Sequence, residues 1–402
     1  RLNGIYDDLL NGAGVQHVPG HGTILDPHTV EVAGKTYTTE NILLATGSWP
    51  NLPDVPGIEH AISSNEVFFL EQQPRRVLIV GGGYIAVEFA GIFNGMGSEV
   101  VQVYRGPLFL RGFDNDVRAH LAGEMRKHGV DLRFDLNVSE IEKVAGGLRA
   151  SLTDGSQLEV DQILYATGRA PLTENIGLEN AGVELNAKGA IAVDEYSRTS
   201  VPNIYAIGDV TDRINLTPVA LHEGMCLADT LFNDKPTMPV HRDVPAAVFS
   251  QPPIGTVGLS EAQARDEYAE IDVYESTFRA LKHTLTKGEE LTYMKLVVDR
   301  KSDRVLGVMM VGPDAGDIVQ GFAVALKCDA TKAQFDSTIG VVWGERGFRR
   351  MAHCCRGVFC GSLRLGVEGL RGCWEGGSAL FRRKPLSPQT LPGTTLDWGW
   401  LP

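Results

Sequence analysis

Gly81-Gly82-Gly83-Tyr84-Ile85-Ala86 fits G-x-G-x-x-A, and its surroundings give it chemistry. The apolar run VLIV (77–80) precedes it, and the residues after it predict a helix over 86–96. Gly81 permits the tight turn, Gly83 lets backbone approach a pyrophosphate, and the small Ala86 lets helix pack on strand. A bare glycine triplet is often only a turn. Here strand, turn, helix and a second strand (VVQVY) follow in succession, and that context points to a dinucleotide.

The end of the second strand decides which dinucleotide. An NAD site places Asp or Glu there for the ribose hydroxyls. This chain has Tyr104-Arg105, with Arg111 six residues on in RGPLFLRGFD. Two guanidiniums suit a 2′-phosphate, which Arg grips bidentately; the alternative is a pair of solvated surface arginines. The reading is NADPH. Another acid, Asp209, ends the strand pattern NIYAIGD, where it suits a sugar hydroxyl or, alternatively, caps the following helix. Glu88 one turn into its helix is equally consistent with compensation of the helix dipole, and Tyr84 with a core aromatic.

The elements that must position these groups follow from the whole chain. Its 402 residues are 43% hydrophobic and 22% charged, enough for two or three globular domains. A net charge of −13 argues against a nucleic-acid partner, and no apolar run approaches the roughly 18 residues a membrane helix needs. No signal peptide opens the chain; Arg1 reads as the middle of a folded unit. Residues 13–47 read as short strands and turns (VQHVPG, TILDP, TVEVAGKTY, NILLATG), and SWPNLPDVPG as a crossing between domains. The stretch from Arg75 alternates strand and helix in the doubly wound α/β plan, with helices over 86–96 and 114–128. DQILYATGRAP echoes NILLATGSWP. A helix near 218–231 follows, then a third unit with strands in VPAAVF, MKLVVD and VLGVMMVG and a helix over DIVQGFAVALK.

GGGYIAVEFAGIFN, LRGFD, ATGRAP, VDEYSRTSVPNIYAIGDVTDRINLTPVAL, AVFSQPPIGTVGLSE and IVQGFAVALK together resemble the glutathione reductase family of pyridine nucleotide–disulfide oxidoreductases, its plant and algal form above all. The resemblance runs from about residue 1 to Val341. It implies a partial FAD-binding domain (1–72), an inserted Rossmann-like NADPH-binding domain (73–170), a return to the FAD domain (171–240) and an α+β dimerisation domain (241–341). It also implies NADPH and FAD as cofactors and glutathione disulfide as substrate. The protein would be a homodimer, soluble in the cytosol or plastid stroma, without nucleic acid, membrane or metal. Tyr84 matches the tyrosine covering the nicotinamide side of the flavin, and Glu88 the glutamate that pairs with a lysine near the redox disulfide. Gly81, Gly83, Ile85, Arg105, Arg111, Thr167 and Gly168 fall to NADPH. Thr46, Gly47, Arg169, Asp209, Leu216 and Thr217 fall to FAD, with Leu216, Thr217 and Pro218 running past the isoalloxazine. Trypanothione reductase, mercuric reductase and dihydrolipoamide dehydrogenase are related alternatives.

The family pattern is not complete here. Its own FAD glycine turn and its C-x4-C redox pair precede the position that Arg1 matches, and FDSTIGV does not continue into the family's catalytic His. From Val342 the chain carries nine Lys/Arg against four Asp/Glu, with four of the five Trp and four of the six Cys. That change reads as an altered frame or retained intron and a disordered tail (342–402). Cys355 and Cys360 have C-x4-C spacing, but beside the vicinal Cys354 they read as chance. Cys226 and Cys328 read as buried small hydrophobes, and His222, His283 and His353 as residues without a role. The expectation is a member of the family that is inactive as given, or a non-catalytic NADP-binding fragment.

Overall fold

The computed structural model describes residues 2–339. The expectations for the tail, for Cys354, Cys355 and Cys360, and for His353 lie outside the described residues. The chain forms two compact units. One comprises the residues up to Trp49 together with Arg169–His241; the other comprises Pro50–Gly168 and the described residues from Arg242 onward.

The first unit opens with a helix, Leu2–Gly12, which precedes the stretch 13–47 read from the sequence as strands and turns. VQHVPG is not a strand; the first strand is Gly22–Asp26, in an antiparallel sheet with Thr29–Val32 and Lys35–Thr38. Val15 and His17 sit at exposed or half-exposed positions with no ladder partner, so alternation alone did not create a strand there. Ile42–Leu44 pairs in parallel with Ile204–Ala206. Ile24, Ile42, Leu44, Ile176, Ile191, Ile204 and Val210 make the core beneath them. The helix Thr217–Phe232 buries Val219, Glu223, Cys226 and Leu227 on one side.

The second unit contains the doubly wound plan. Four parallel strands lie in the order Gln162–Tyr165, Arg76–Val80, Glu99–Tyr104, Asp131–Phe134. Val77–Val80 are at most 2% exposed, as a parallel strand covered on both faces requires. The helices are Tyr84–Gly95 and Asn115–Lys127, and an antiparallel meander, Val138–Val144, Gly147–Leu152 and Gln157–Val160, leads back to the sheet. A five-stranded antiparallel sheet follows, in the order Ala246–Val248, Ile254–Gly258, Val305–Val311, Thr292–Asp299, Ile271–Phe278. The second and last of these were not read from the sequence; short apolar runs broken by Gly and acids give weak strand signals. Ala315–Lys327 packs Val319, Phe322, Ala323 and Leu326 against this sheet.

The two sheets of this unit share one core. Val77, Ile79, Leu121 and Met125 join Ile254, Val297, Met309 and Val311 in a single apolar cluster. Beside it lies a buried charge. The Lys295 ammonium is 2.9 Å from Asp114, 2.6 Å from Asp116, 2.8 Å from Glu261 and 4.0 Å from Glu275. Asp114 also caps the helix Asn115–Lys127 by accepting from the Asp116 N–H, and accepts from the Glu261 N–H at 2.9 Å. Asp116, Glu261 and Glu275 lie close enough to share a metal ion, but the cation they surround is Lys295.

Burial alone would lower the Lys295 pKa; its hydrogen bonds to Asp116, Glu261 and Asp114 outweigh that and raise it. Burial alone would raise Glu261; hydrogen bonds from Lys295 and Arg265 outweigh that and lower it. The lysine contribution is therefore complete below its ordinary 10.5 and is lost only as pH rises through the elevated folded value. The Glu261 contribution is present above the ordinary 4.5 and is lost as pH falls through its lowered folded value. Replacing Lys295 by Met should cost about 3–5 kcal/mol near neutral pH, because several carboxylates lose their cation. Urea unfolding should show the deficit shrinking on acidification, as those carboxylates take up protons; a deficit independent of pH would contradict this account.

Candidate functional site

The glycine turn has the geometry its sequence implies. Gly81 adopts φ 147°, and a Cβ there would lie 2.2 Å from the Ala166 carbonyl oxygen. Ala166 in turn donates to the Val80 carbonyl, so the Thr167-Gly168 turn lies against the glycine turn. Around Gly83 a Cβ would meet no atom within 4 Å, which leaves open space at the head of the helix. No side chain caps that helix at Gly83, so its first N–H groups are available to an anion. Ala86 is fully buried against the strand, whereas Ile85 is half-buried. Gln102, buried on the second strand, donates to the Gly81 carbonyl at 3.0 Å; the sequence reading missed it.

Arg105 and Arg111 are both exposed, and among the described residues no carboxylate pairs with either. The segment between them is held at several points. Gly106 O accepts from the Asp135 N–H, and the Leu110 N–H donates to Gly82 O at 2.6 Å. Arg118 donates from Nε to Phe109 O and from Nη2 to Leu108 O, each at 2.6 Å. Thr167 Oγ1 donates to Asn51 O at 2.8 Å, and the Asn51 N–H to Gly168 O at 2.9 Å. Gly81, Gly83, Thr167 and Gly168 thus meet at the C-terminal end of the parallel strands, with Arg105 at the end of the neighbouring strand.

Tyr84 is partly exposed in the first helical turn, so it is not a core aromatic. Glu88 accepts from the Phe249 N–H at 2.9 Å. Burial holds its carboxyl above the ordinary 4.5, and the Phe249 N–H offsets this only in part. The Glu88 side chain therefore joins the glycine-turn helix to the segment after Ala246–Val248.

In the other unit, a buried serine connects the predicted residues. Ser48 Oγ donates to Asp209 Oδ2 at 2.7 Å, and Arg169 donates from Nε to Ser48 Oγ at 2.7 Å and from Nη2 to Ser48 O at 2.6 Å. Thr46 Oγ1 donates to Leu172 O, and the Leu172 N–H to Gly47 O. Asp209 lies in the 3-10 turn Gly208–Thr211, so it is not a simple cap of the later helix, which begins at Thr217. Leu216 stands at that helix's N-cap without a side-chain cap, and Thr217 is exposed. Glu223, 1% exposed, accepts from the Gly208 N–H at 2.7 Å and meets Arg213 at 3.0 Å and His241 at 2.7 Å. Ser48 and Glu223 carried no signal beyond their places, one residue after an A-T-G and two residues after NLTPVAL.

The reading of Cys328 needs correction. Cys226 is buried as expected of a small hydrophobe, with its Sγ 3.6 Å from His222 Nε2, but Cys328 is exposed at the end of Ala315–Lys327. An apolar helix pattern does not continue past the C-cap, where Cys328 faces solvent. His283 lies 3.0 Å from Glu290, which is also 3.7 Å from His128; a sequence gap of many residues hid this cluster.

Known proteins place the whole. Residues 1–224 match the pyridine nucleotide-disulphide oxidoreductase family, and residues 244–342 match the dimerisation domain of that family. The chain belongs to this family. It is 51% identical over 341 residues to a glutathione reductase of Burkholderia cepacia, covering 85% of this chain and 76% of the relative. It is 49% identical over 342 residues to the chloroplastic/mitochondrial glutathione reductase of Pisum sativum, spanning 85% of this chain but 62% of the relative. Bacterial and plant forms are thus about equally similar. A trypanothione reductase of Trypanosoma congolense is 42% identical over 355 residues, 85% of this chain and 72% of that one. Among solved structures, the HOCl-induced flavoprotein disulfide reductase RclA of Escherichia coli superposes with a TM-score of 0.80 at 28% identity, covering 87% of this chain and 81% of that chain. Glutathione reductases are NADPH-dependent disulfide oxidoreductases with FAD, and no described helix is long and apolar enough to cross a membrane.

The raised Glu88 carboxyl disfavours the folded state increasingly as pH rises through its folded value. Glu88→Gln keeps an acceptor for the Phe249 N–H without the charge. It should gain under about 1 kcal/mol in urea unfolding at about pH 8, and nothing at about pH 4. An equal gain at both would show that ionisation is not the cause.

Proposed function

We propose that this polypeptide is the NADPH-binding and dimer-forming part of a glutathione-disulfide reductase. The observation that carries the nucleotide assignment is the pairing of an uncapped glycine-turn helix with two exposed arginines that have no acidic partner among the described residues. In this reading Gly81 makes the tight turn, with its own N–H held by Val103 O, and the N–H groups of Gly83 and Ile85 face the pyrophosphate, with Thr167 and Gly168 beside them. Arg105 and Arg111 take the 2′-phosphate, and Tyr84 and Glu88 lie toward the nicotinamide. NADPH would supply a hydride.

Thr46, Gly47, Arg169, Asp209, Leu216 and Thr217 fit the sugar and ring end of FAD. Their support is the Arg169–Ser48–Asp209 chain, which presents a half-buried carboxylate suited to hydroxyl donors, and the uncapped start of the helix at Thr217. FAD would accept electrons from NADPH when bound. The glutathione assignment, over trypanothione, rests on the higher identities to glutathione reductases.

Disulfide exchange needs two thiols in reach of one another. The described residues hold two cysteines, Cys226, which burial pushes further from its thiolate, and the exposed Cys328, and these do not have the family's C-x4-C spacing. We therefore propose binding of NADPH without turnover of glutathione disulfide by the chain of this sequence, in the cytosol or plastid stroma.

Calorimetric titration should give a tighter Kd for NADPH than for NADH. Arg105→Met should erase most of that difference, about tenfold or more for a charge-assisted contact of 1.5–3 kcal/mol. No measurable NADPH-dependent loss of glutathione disulfide should accompany the binding. Equal affinity for the two nucleotides in the unaltered protein would sink the NADPH assignment.

A homodimer is the second expectation. Ala315–Lys327 buries one side in its own sheet yet leaves Val324 62% exposed, and Phe249 and Ile339 are exposed as well. Light scattering after size exclusion should return twice the chain mass of 43.6 kDa. A concentration-independent single-chain mass would remove the dimer from this reading.

A further inference from the structure

We propose that Arg118 is a positioning residue for recognition of the nucleotide's 2′-phosphate; the inference rests on the NADPH reading of Arg105 and Arg111. The segment from Arg105 to Arg111 contains no continuous helix or strand, yet it must present two guanidiniums to one phosphate. Ordering such a segment costs conformational entropy at every residue, so something must hold it. Phe109 and Leu110 anchor its middle in the core. Leu110, in the left-handed region at φ 54°, donates to Gly82 and so ties the segment to the glycine turn.

Arg118 holds the other side. One guanidinium grips two successive carbonyls, Leu108 O and Phe109 O, at 2.6 Å each, and its Nη1 donates to Asn115 Oδ1 at 2.7 Å. Its stem rises from the helix Asn115–Lys127, whose start is fixed by Asp114 and Lys295. The guanidinium is partly buried, and burial lowers its pKa below the ordinary 12.5. A planar fork that spans two carbonyls cannot be replaced by the point charge of a lysine. The described contacts of Arg118 reach neither Gly83 nor the helix it heads, where the pyrophosphate would sit. Arg118 therefore acts directly on the arginine segment, and on the glycine turn at most through the Leu110–Gly82 hydrogen bond.

The consequence is selective. If removing Arg118 leaves the segment in its binding shape about a tenth of the time, the apparent Kd for a 2′-phosphorylated ligand rises about tenfold. A ligand without that phosphate, held by the glycine turn, is nearly unaffected. A merely structural role would weaken both ligands together.

The experiment is calorimetry of 2′,5′-ADP and 5′-ADP binding to the unaltered chain, Arg118→Met, Arg118→Gln and Arg105→Met. We expect Arg118→Met to weaken 2′,5′-ADP about tenfold while 5′-ADP stays within about twofold. Arg118→Gln, which restores one amide donor, should fall between, and it carries the test if the Met variant fails to fold by circular dichroism. Loss of preference in Arg105→Met with no change in either Arg118 variant would overturn the inference and leave the NADPH reading standing. So would an equal loss for both ligands in the Arg118 variants. If the unaltered chain shows no preference for 2′,5′-ADP, the NADPH reading fails and the inference falls with it.

Discussion

One ammonium group organises the larger unit. Lys295 stands on a central strand of the antiparallel sheet, 1% exposed, and draws in carboxylates from a helix of the parallel sheet's layer and from the helix Glu261–Glu267. In a chain of net charge −13 these acids would repel one another without it. Buried ion groups are weak evidence of net stabilisation, because desolvation offsets much of the attraction. Their stronger effect is on arrangement: a different relative placement of these elements would leave the buried ammonium, or the buried Asp114 carboxylate, without its partner. The shared apolar core supplies attraction that is indifferent to register, and Lys295 supplies the register.

That register reaches the nucleotide site by a short route. Asp114 accepts from Lys295 and caps the helix Asn115–Lys127; Arg118, on the first turn of that helix, holds Leu108 and Phe109. The two exposed arginines are therefore placed by a helix whose start is fixed by a charge in another sheet. The glycine turn is placed differently, by close packing of Gly81 on Ala166 and by the buried amide of Gln102. In the proposed NADPH reading, backbone geometry would serve the pyrophosphate and side-chain geometry the 2′-phosphate, so the two could be perturbed apart.

The smaller unit uses the same device with its own residues. Glu223 gathers Arg213, His241 and the Gly208 N–H, and so fixes the turn that carries Asp209. Ser48 then links Asp209 to Arg169. Such a fully bonded polar chain presents a carboxylate in one orientation without the side chain having to be ordered by a ligand. The residues proposed to touch the cofactor were recognisable as motifs; the residues that hold them were not.

What the sequence determined by itself is the local chemistry. The strand–glycine–helix succession, the absence of an acid after Tyr104, and the apolar periodicity of 317–327 are properties of neighbouring residues, and short-range sterics and burial act on them directly. Family membership followed from such stretches in order. What only the tertiary structure decided are the partnerships across long gaps: Lys295 with Asp114, Glu88 with Phe249, Ser48 with Asp209, and Arg118 with a loop it merely follows. The strands Ile254–Gly258 and Ile271–Phe278, the helix Leu2–Gly12 and the exposure of Cys328 belong to the same group. A polar side chain carries no mark of its partner, because hydrogen bonds and ion pairs depend on distance in space, and the chain sets that distance only once it has folded.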